Sequence, residues 1–343
     1  MKLKFLCMFL SGTGGTETVL VKVLNELCHQ NEIELILTNR PQEDTWLKKL
    51  DPKITLSIYE GKFKRLSRIA WTFLTASKDT CFISLSPKMI KLGARLRQLF
   101  HKDYKLISWI HFSLNEQNMF DAQTTLPLAD GHLAINSVIK EQLISYGIAQ
   151  EKIFLIHNPI EPVAKALKPS TKPKSFFYAG RITFLGQKNL KELLDALALV
   201  EDATLDVYGT GEDLEKCQTY AASLGIAERI TWHGFTAELW EQIKVRPSAL
   251  ILTSTFEGLP MIALETAAHG IPIICSNFNG YRDILQEDRN GFSYQLHNIE
   301  QLAQKMNMID QVAFGPEQIK ASIQAFYPQT YFKNFEKALH KLK

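Results

Sequence analysis

The chain has 343 residues, of which 45% are hydrophobic and 22% are charged, and its formal net charge is +3 at pH 7. This composition is typical of a globular protein, and the length favours two domains with a core that needs no disulfide or structural metal to fold. The five cysteines form no C-x-x-C pair and no zinc-ligand spacing, which excludes a disulfide scaffold and indicates a reducing compartment. No segment approaches the roughly 20 apolar residues of a membrane span.

The N-terminus has the charged start and the apolar run of a signal peptide. The run from Phe5 to Leu10 is only six residues long, and it stops at a glycine-rich turn without a cleavage-like site. We therefore expect a buried first strand, in a cytoplasmic protein that is at most peripherally associated with the inner face of the plasma membrane.

Short apolar runs alternate with amphipathic stretches along the chain, which is typical of an α/β fold with parallel sheets. A first helix is expected over Thr16–Gln30, where apolar residues recur on one face. The predicted strands are Lys4–Leu10, Ile33–Thr38, Cys81–Leu85, Leu106–His111, His132–Ile135 and Ile153–Ile156 in the first half, and Ser175–Ala179, Ala203–Tyr208, Arg229–His233, Ala249–Thr253 and Pro272–Ser276 in the second.

The segment 158–174 interrupts this pattern with four prolines and no sustained period, which predicts an inter-domain linker. We therefore predict an N-terminal domain over 1–157, a C-terminal domain over 175–324, and an aromatic-rich helix over 325–343 that returns to the first domain. Open parallel sheets bind ligands beyond the carboxyl ends of their strands, so we expect a central cleft between the two domains.

A glycine-rich turn, 11–17, follows the first predicted strand. Its glycines allow close approach of a ligand to the backbone, and the helix start offers N–H groups to a phosphate or an acceptor oxygen. The turn is not a dinucleotide fingerprint, because Glu17 stands where the third glycine is required, and no Walker lysine follows. Alone it is a weak signal, which a tight turn explains equally well.

The loop 180–189 follows the first strand of the second domain and contains Arg181 and Lys188. An arginine can bind two phosphate oxygens at once, and a lysine adds a point charge. A diphosphate leaving group needs such neutralisation, because negative charge grows on it as the sugar bond breaks. A solvated pair of surface charges is the alternative, but the position directly after a strand favours phosphate binding.

The segment Glu257–Glu265 places two glutamates eight residues apart around a Gly-Leu-Pro helix start. Pro260 suits the first turn of a helix, and the uncapped amides of that turn can face an anion. Glu265 can then accept the hydroxyls of a ribose, and Glu257 can face a sugar. A glutamate pair at this spacing is common, but the succession of a strand, Thr-Ser-Thr-Phe, Glu-Gly-Leu-Pro and a helix is more specific.

These motifs resemble those of the retaining glycosyltransferases of the GT-B fold, in family 4, whose signature is E-x7-E. The resemblance runs nearly end to end and implies two Rossmann-like domains that face a central cleft. Its motifs are Gly14–Glu17, His111–Ser113, Asn158-Pro159, Gly180-Arg181, Lys188, Tyr208–Gly211, Glu257–Glu265 and Gly280–Asp283. Within the family, the segments most similar to galactosyltransferases of bacterial lipopolysaccharide synthesis are Trp109–Leu114, Ile139–Gln142, Glu215–Gln218 and Tyr331–Phe335.

The resemblance implies four catalytic positions. Arg181 and Lys188 would bind the diphosphate, and Glu257 would contact the donor hexose. His111, at the end of a first-domain strand, would lie at the donor sugar near the reaction centre. Without the family context, a histidine at a strand end is more often a structural residue.

The resemblance also implies nucleotide and acceptor contacts. Glu265 would hold the ribose, the N-terminal glycine turn would border phosphate and acceptor, and the loops after two strands of the second domain would approach the base. The implied binding residues are Gly14, Gly15, Glu17, Gly209, Gly211, Gly234, Phe235, Gly258, Leu259, Pro260, Met261 and Glu265.

No metal and no cofactor are expected, since the UDP-sugar is the donor substrate. The sequence has no D-x-D motif and no cluster of His, Asp and Glu at ligand spacing. Arg181, Lys188 and helix amides can neutralise the charge that Mg²⁺ neutralises in other enzymes. We therefore expect activity to persist in EDTA.

Residues 62–105 carry eleven basic and two acidic side chains. A basic amphipathic surface of this kind can dock on an anionic inner membrane at about 1 kcal/mol per well-placed charge, and a solvated helix face is the alternative. No nucleic acid partner is expected, because the overall charge is low and no recognised binding motif occurs. The basic residues at roughly helical spacing are Lys62, Lys64, Arg65, Arg68, Lys88, Lys91, Arg95 and Lys102.

The sequence therefore predicts a retaining, metal-independent hexosyltransferase that moves galactose from a UDP-sugar to a lipid-linked saccharide such as the lipopolysaccharide core. Transfer from UDP-glucose or UDP-GlcNAc to another cell-surface polysaccharide, glycolipid or glycoprotein stays open. Two rivals come from other classes. The missing G-x-G-x-x-G argues against a nucleotide-dependent dehydrogenase, and the complete set of two cations and two glutamates argues against an inactive sugar-nucleotide- or membrane-binding protein.

Overall fold

The computed structural model describes residues 1–8, 10, 15–115, 117, 119–165, 167–168, 170, 172 and 174–342, with the side chains of 62–64 excepted. The chain divides into two compact units. Unit 1 comprises Met1–Pro159 and Gln329–Lys343, and unit 2 comprises Ile160–Pro328. Most of the proline-rich segment 158–174 thus belongs to unit 2.

Unit 1 is built on a sheet that has seven parallel strands in the described part of the chain, in the order β3-β2-β1-β4-β5-β6-β7. The strand order reverses between the neighbours β1 and β4. The strands are β1 (Lys2–Cys7), β2 (Glu32–Leu37), β3 (Thr55–Ile58), β4 (Thr80–Ser84), β5 (Lys105–Ile110), β6 (Gly131–Ala134) and β7 (Ile153–Leu155). The helices between them are α1 (Gly15–Leu27), α2 (Lys62–Leu74), α3 (Pro87–Leu99), α4 (Ala122–Thr125) and α5 (Ser137–Ser145).

Strand β1 begins and ends earlier than the apolar run predicts. Lys2 and Lys4 lie within the strand, and each pairs with a glutamate of β2, at 3.3 Å to Glu32 and 2.8 Å to Glu34. Strand β3 is not predicted by the sequence, since it is a partly exposed edge strand without an apolar run. Apolar patterning therefore finds six strands of this sheet, including edge strand β7, and misses edge strand β3.

Helices α2 and α3 pack against each other and against the sheet of unit 1. Their contact centres on Phe73, whose ring lies 4.5 Å from that of Phe82 and 5.6 Å from that of Tyr104. Each helix leaves the carboxyl end of one strand and leads to the amino end of another. Both helices therefore end at the amino edge of the sheet.

Unit 2 repeats this architecture with six parallel strands in its described part, in the order β10-β9-β8-β11-β12-β13. The strand order reverses between β8 and β11. The strands are β8 (Ser175–Ala179), β9 (Thr204–Tyr208), β10 (Ile230–Gly234), β11 (Ala249–Leu252), β12 (Ile273–Ser276) and β13 (Gly291–Tyr294). The helices are α6 (Leu190–Ala198), α7 (Leu214–Ser223), α8 (Leu239–Gln242), α9 (Met261–Ala268), α10 (Ile299–Met308) and α11 (Pro316–Ser322).

The prediction of an α/β chain with two parallel sheets is confirmed. Edge strand β13 is the one element of the unit 2 sheet that the sequence does not predict, because it is short and begins at Gly291. In open parallel sheets, ligands bind beyond the carboxyl ends of the strands where the strand order reverses. We therefore expect the ligand-binding loops to be those after β1, β4, β8 and β11.

The last helix, α12 (Pro328–Lys341), packs on unit 1. Its aromatic side chain Phe335 is buried and lies edge-on to Trp109 of β5, with 5.9 Å between ring centroids. None of the described helices is both long enough and apolar enough to cross a bilayer.

Candidate active site

Two loops of unit 2 follow the adjacent strands β8 and β11, and a buried ion pair joins them. Lys188 Nζ lies 2.6 Å from Glu257 Oε1, and the two side chains are only 16% and 8% exposed. Ser254 Oγ donates a second hydrogen bond of 2.6 Å to the same oxygen. Both of these contacts use Oε1, so Oε2 is the oxygen that we expect to accept a hydrogen bond from a ligand hydroxyl.

Backbone contacts hold the two loops together along their length. The Thr255 N–H donates to the Gln187 carbonyl at 2.8 Å, and Thr253 Oγ1 donates to the Lys188 carbonyl at 2.9 Å. Gln187 Nε2 donates to the Phe256 carbonyl at 3.3 Å. Two segments that the sequence suggests separately are thus one structural element.

Arg181 stands at the exposed end of this element. Its guanidinium Nη2 donates to Gln187 Oε1 at 3.0 Å, and it makes no ion pair with a described carboxylate. Tyr178 Oη donates to the Arg181 carbonyl at 2.7 Å and fixes the backbone there. The positive charge of Arg181 is therefore available to an anionic ligand.

The start of helix α9 differs from the prediction in one respect. Pro260 does not lie in the first helical turn, because the helix begins at Met261 and Pro260 precedes it with extended backbone angles. The side chains of Leu259 and Pro260 are buried. Any contact of these two residues with a nucleotide must therefore come from their backbone.

Glu265 lies in the second turn of α9, where a tryptophan of α8 holds it. Trp240 Nε1 donates to Glu265 Oε2 at 3.0 Å. The indole stacks on the His269 ring at 3.7 Å between centroids and 12° between planes, and His269 Nδ1 lies 2.8 Å from the Glu265 carbonyl oxygen. The carboxylate that the resemblance assigns to the ribose is therefore fixed from one side.

Gly209 and Gly211 bring the loop after β9 against the loop after β8. A Cβ on Gly209 would lie 1.9 Å from the Gly180 carbonyl oxygen, and one on Gly211 would lie 1.9 Å from that of Ile182. Close approach of two backbones thus accounts for both glycines without a ligand. At the end of β10, Gly234 has a φ of +72°, and a Cβ on it would meet no other atom within 4 Å. Phe235, which follows, is exposed.

In unit 1, His111 follows β5, as predicted. Burial lowers the pKa of its imidazole to about 3, so the ring is neutral at physiological pH. His111 Nε2 is buried and has no hydrogen-bond partner among the described residues. A buried nitrogen without a partner is uncommon in folded proteins, so this nitrogen has unused hydrogen-bonding capacity.

The turn after β1 is described only in part. Gly14 lies outside the described residues, and Gly15 begins α1. Glu17 is buried in the first turn of α1, where the helix dipole favours a carboxylate. Burial and the nearby negative charge of Glu17 raise the pKa of the Cys7 thiol, so this cysteine stays protonated.

The structure also reveals residues that the sequence does not single out. Ser254 and Gln187 fix Glu257 and Arg181, and the only sequence signal for them is their position in polar loops directly after strands. Trp240 carries no signal, because its contact with Glu265 arises from the tertiary fold. In unit 1, Gln142 holds the loop after β5, accepting from the Leu114 N–H at 2.8 Å and donating to Ser113 Oγ at 3.0 Å.

The described part of the chain contains no group of three or more His, Cys, Asp or Glu side chains that could hold a metal ion. The predicted site residues fall into two sets. Arg181, Lys188, Glu257 and Glu265 belong to unit 2 with the glycines after β9 and β10, and His111, Gly15 and Glu17 belong to unit 1.

Two parallel sheets with polar loops where the strand order reverses are the architecture of the GT-B glycosyltransferases. Residues 160–310 match the family described as glycosyl transferases group 1. The chain is 33% identical to the lipopolysaccharide 1,6-galactosyltransferase of Salmonella typhimurium LT2. The alignment, 356 residues long with its gaps, covers 99% of this chain and 98% of that protein. The chain belongs to this glycosyltransferase family and is a hexosyltransferase, which confirms the resemblance and excludes the dehydrogenase.

Solved structures agree with this family membership. The apo form of the lipopolysaccharide outer core galactosyltransferase WaaB superimposes with a TM-score of 0.87 at 33% identity, with 99% of each chain covered. HepE of Anabaena, in complex with UDP, superimposes with a TM-score of 0.80 at 18% identity, covering 99% of this chain and 100% of HepE. The second likeness concerns the fold alone.

Proposed function

We propose that this enzyme transfers galactose from UDP-galactose, with retention of the anomeric configuration, to a saccharide of a lipid-linked acceptor such as the lipopolysaccharide core. The full-length likeness to the Salmonella lipopolysaccharide 1,6-galactosyltransferase supports the sugar and the acceptor. The UDP complex of HepE, which shares the fold, supports the nucleotide.

The observation that carries the proposal is the 2.6 Å contact between Lys188 and Glu257. It joins a cation that suits a diphosphate to a carboxylate that can accept sugar hydroxyls. A nucleotide-sugar presents these two groups side by side, because its β-phosphate is bonded directly to the anomeric carbon. A site that binds this donor therefore needs a cation for the phosphate next to an acceptor for the sugar hydroxyls.

In the proposed reaction, Arg181 and Lys188 stabilise the charge that grows on the diphosphate as its bond to the sugar breaks. Glu265, fixed by Trp240, accepts hydrogen bonds from the ribose hydroxyls. The acceptor hydroxyl attacks the anomeric carbon from the face that UDP leaves, and its proton passes to the departing diphosphate oxygen, so the configuration is retained. The neutral imidazole of His111 offers its Nε2 to the donor sugar.

The proposed transfer needs no divalent metal ion. Arg181 makes no ion pair with a described carboxylate, and its guanidinium can bind two phosphate oxygens in place of a divalent metal ion. Turnover should therefore be the same with and without EDTA. A loss of activity in EDTA that Mg²⁺ restores would contradict this part of the proposal.

A panel of UDP- and GDP-sugars tests the donor. A ligand at a hundred times its Kd adds about 2.7 kcal/mol to the free energy of unfolding, so UDP-galactose should raise the thermal midpoint most. UDP release with a lipid-free core oligosaccharide as acceptor then tests transfer. A larger response to UDP-glucose or UDP-GlcNAc would assign that donor instead, and a response to GDP-sugars alone would refute the assignment of UDP.

We also propose that the enzyme works at the inner face of the plasma membrane, in contact with anionic lipids through residues 62–105. The excess of eleven basic over two acidic side chains in this segment supports such a contact. Two of these arginines are hydrogen-bonded to other side chains. Arg65 Nη1 donates to Asn39 Oδ1 at 2.8 Å, and Arg97 pairs with Asp130.

A further inference from the structure

An open depression of about 950 Å³ lies at the amino edge of the unit 1 sheet. The second half of α3, the connection from α3 to β5, and the segment before β6 form its walls. The charged residues and the histidine that line it are Lys91, Arg95, Arg97, His101, Lys102, Asp103, Lys105 and Asp130.

Internal pairing removes only one positive charge from this lining. Arg97 Nη1 lies 2.6 Å from Asp130 Oδ2 and donates to the Tyr104 carbonyl at 3.0 Å. The other four lysines and arginines of the lining make no ion pair within the described part of the chain, and Asp103 is the one remaining acidic residue. The C-terminal dipole of α3 offsets about half a charge. The depression therefore keeps an excess of positive charge.

Exposed apolar side chains border the same edge. Leu99 and Phe100, at the end of α3, are 70% and 50% exposed, and Trp71, in the last turn of α2, is 67% exposed. Both helices end at the amino edge of the sheet, so the three side chains stand on the same side of unit 1. Cations beside exposed tryptophan, phenylalanine and leucine suit a bilayer interface, which is both anionic and apolar.

We propose that this amino edge is the surface that docks on an anionic bilayer. The depression receives the phosphate of a lipid headgroup, and Trp71, Leu99 and Phe100 enter the interfacial layer. This inference rests on the proposed function and narrows the membrane contact from a segment of the chain to one edge of one sheet.

The docking edge is opposite to the edge that carries His111. Strand β5 has six residues and separates Lys105 from His111 by about 20 Å. The reacting sugar would then stand well above the lipid surface. The acceptor class that fits is a glycolipid whose reacting hydroxyl is several sugar units away from its lipid.

Vesicle binding tests the charged part of the surface. The triple variant Arg95→Gln/Lys102→Gln/Lys105→Gln should bind vesicles of phosphatidylglycerol and phosphatidylcholine about a hundredfold more weakly, because each charge contributes about fivefold. The matched control Lys165→Gln/Lys244→Gln/Arg289→Gln removes three exposed charges from unit 2 and should bind as the wild type does. Unchanged binding of the first variant, or equal loss in the control, overturns the proposal.

Fluorescence quenching tests the apolar part. Brominated lipid in the vesicles should quench the emission of the wild type, and Trp71→Phe should abolish most of that quenching. Since Trp71 is exposed, the substitution leaves the core intact. Quenching that persists in the variant would show that Trp71 does not enter the bilayer and would overturn the orientation.

Three further measurements separate the outcomes. The triple charge variant should transfer sugar to a lipid-free saccharide at the wild-type rate and lose activity only on vesicle-bound acceptor. If the wild type transfers nothing to either acceptor, the proposed function fails while the vesicle result stands.

If inorganic phosphate releases the protein from vesicles more than sodium chloride does at equal ionic strength, that result would assign the depression to a soluble phosphate ligand. Tighter binding to duplex DNA than to vesicles would assign the depression to nucleic acid. Either result overturns the docking surface.

Discussion

Lys188 and Glu257 lie 69 residues apart in the chain, yet their side chains meet at 2.6 Å in a largely buried position. Ser254 donates to the same carboxylate oxygen. Burial of one charge without its partner costs several kcal/mol, so each member of the pair holds the other in place. The pair therefore makes the cationic loop and the glutamate loop a single preorganised element.

The substitution Lys188→Met should reduce both stability and activity. It leaves the carboxylate of Glu257 buried without its cation, which should lower the free energy of unfolding by about 3 kcal/mol. It also removes a cation from the leaving diphosphate, so turnover should fall about a hundredfold or more. Urea unfolding and a UDP-release assay measure the two effects.

The double variant Lys188→Met/Glu257→Gln separates these effects. It removes both charges and keeps a neutral side chain at 257 for Ser254, so most of the lost stability should return. Turnover should stay low, because the cation is still missing. Recovery of turnover along with stability would mean that the pair is only structural.

The sequence is sufficient to predict the central strands and the loops that bear the site, because apolar runs mark buried parallel strands and the polar motifs follow them directly. It is not sufficient to predict which side chains meet. The contacts of Glu257 with Ser254, and of Glu265 with Trp240, depend on how adjacent strands and helices pack. The glycines after β9 show the converse. Their pattern is typical of a backbone that a ligand approaches, but here the close packing of two loops is enough to explain it.

Arg181 should matter for turnover and not for folding. Its guanidinium is exposed and is bonded only to Gln187 among the described residues, so Arg181→Ala should change the free energy of unfolding by less than about 0.5 kcal/mol. Turnover should fall about a hundredfold. Arg289→Ala is a matched control, because Arg289 is also exposed and bonded to one glutamine, Gln286, at 2.8 Å. Near-normal turnover of Arg181→Ala would remove this residue from the site.

Trp240 should act on the donor through Glu265. In Trp240→Phe the ring can still stack on His269, but the N–H that holds the carboxylate is lost. A lost hydrogen bond to a charged group corresponds to about 1.5 kcal/mol, so we expect KM for the UDP-sugar to rise roughly tenfold with little change in kcat. Isothermal titration calorimetry with UDP measures the affinity for the nucleotide directly. An unchanged affinity for UDP, with kcat lowered instead, would contradict the role in positioning.

Gly209 and Gly234 both have a positive φ, but only Gly209 is crowded. Gly209→Ala would place a Cβ 1.9 Å from the Gly180 carbonyl oxygen and should displace the backbone beside Arg181. Gly234→Ala meets no neighbouring atom, so its cost should be limited to about 1 to 2 kcal/mol of backbone strain. We expect Gly209→Ala to be the less stable protein and to lose affinity for UDP, as judged by thermal unfolding and titration. Equal stability of the two variants would contradict the close approach of the two loops.

Stability should fall in mild acid because of a buried histidine in unit 1. Burial lowers the pKa of His132 to about 4, and its Nδ1 lies 2.6 Å from Ser108 Oγ. In the unfolded chain the imidazole binds a proton near pH 6.5. The contribution of His132 to the free energy of unfolding is therefore complete above that pH and is lost as the pH falls toward 4. The loss should be about 2 kcal/mol at pH 5. Urea unfolding at pH 7.5 and pH 5 should therefore show a smaller difference for His132→Asn than for the wild type. The exposed control His101→Asn should keep the wild-type difference, and the same dependence on pH in all three proteins would mean that His132 is protonated in the folded state.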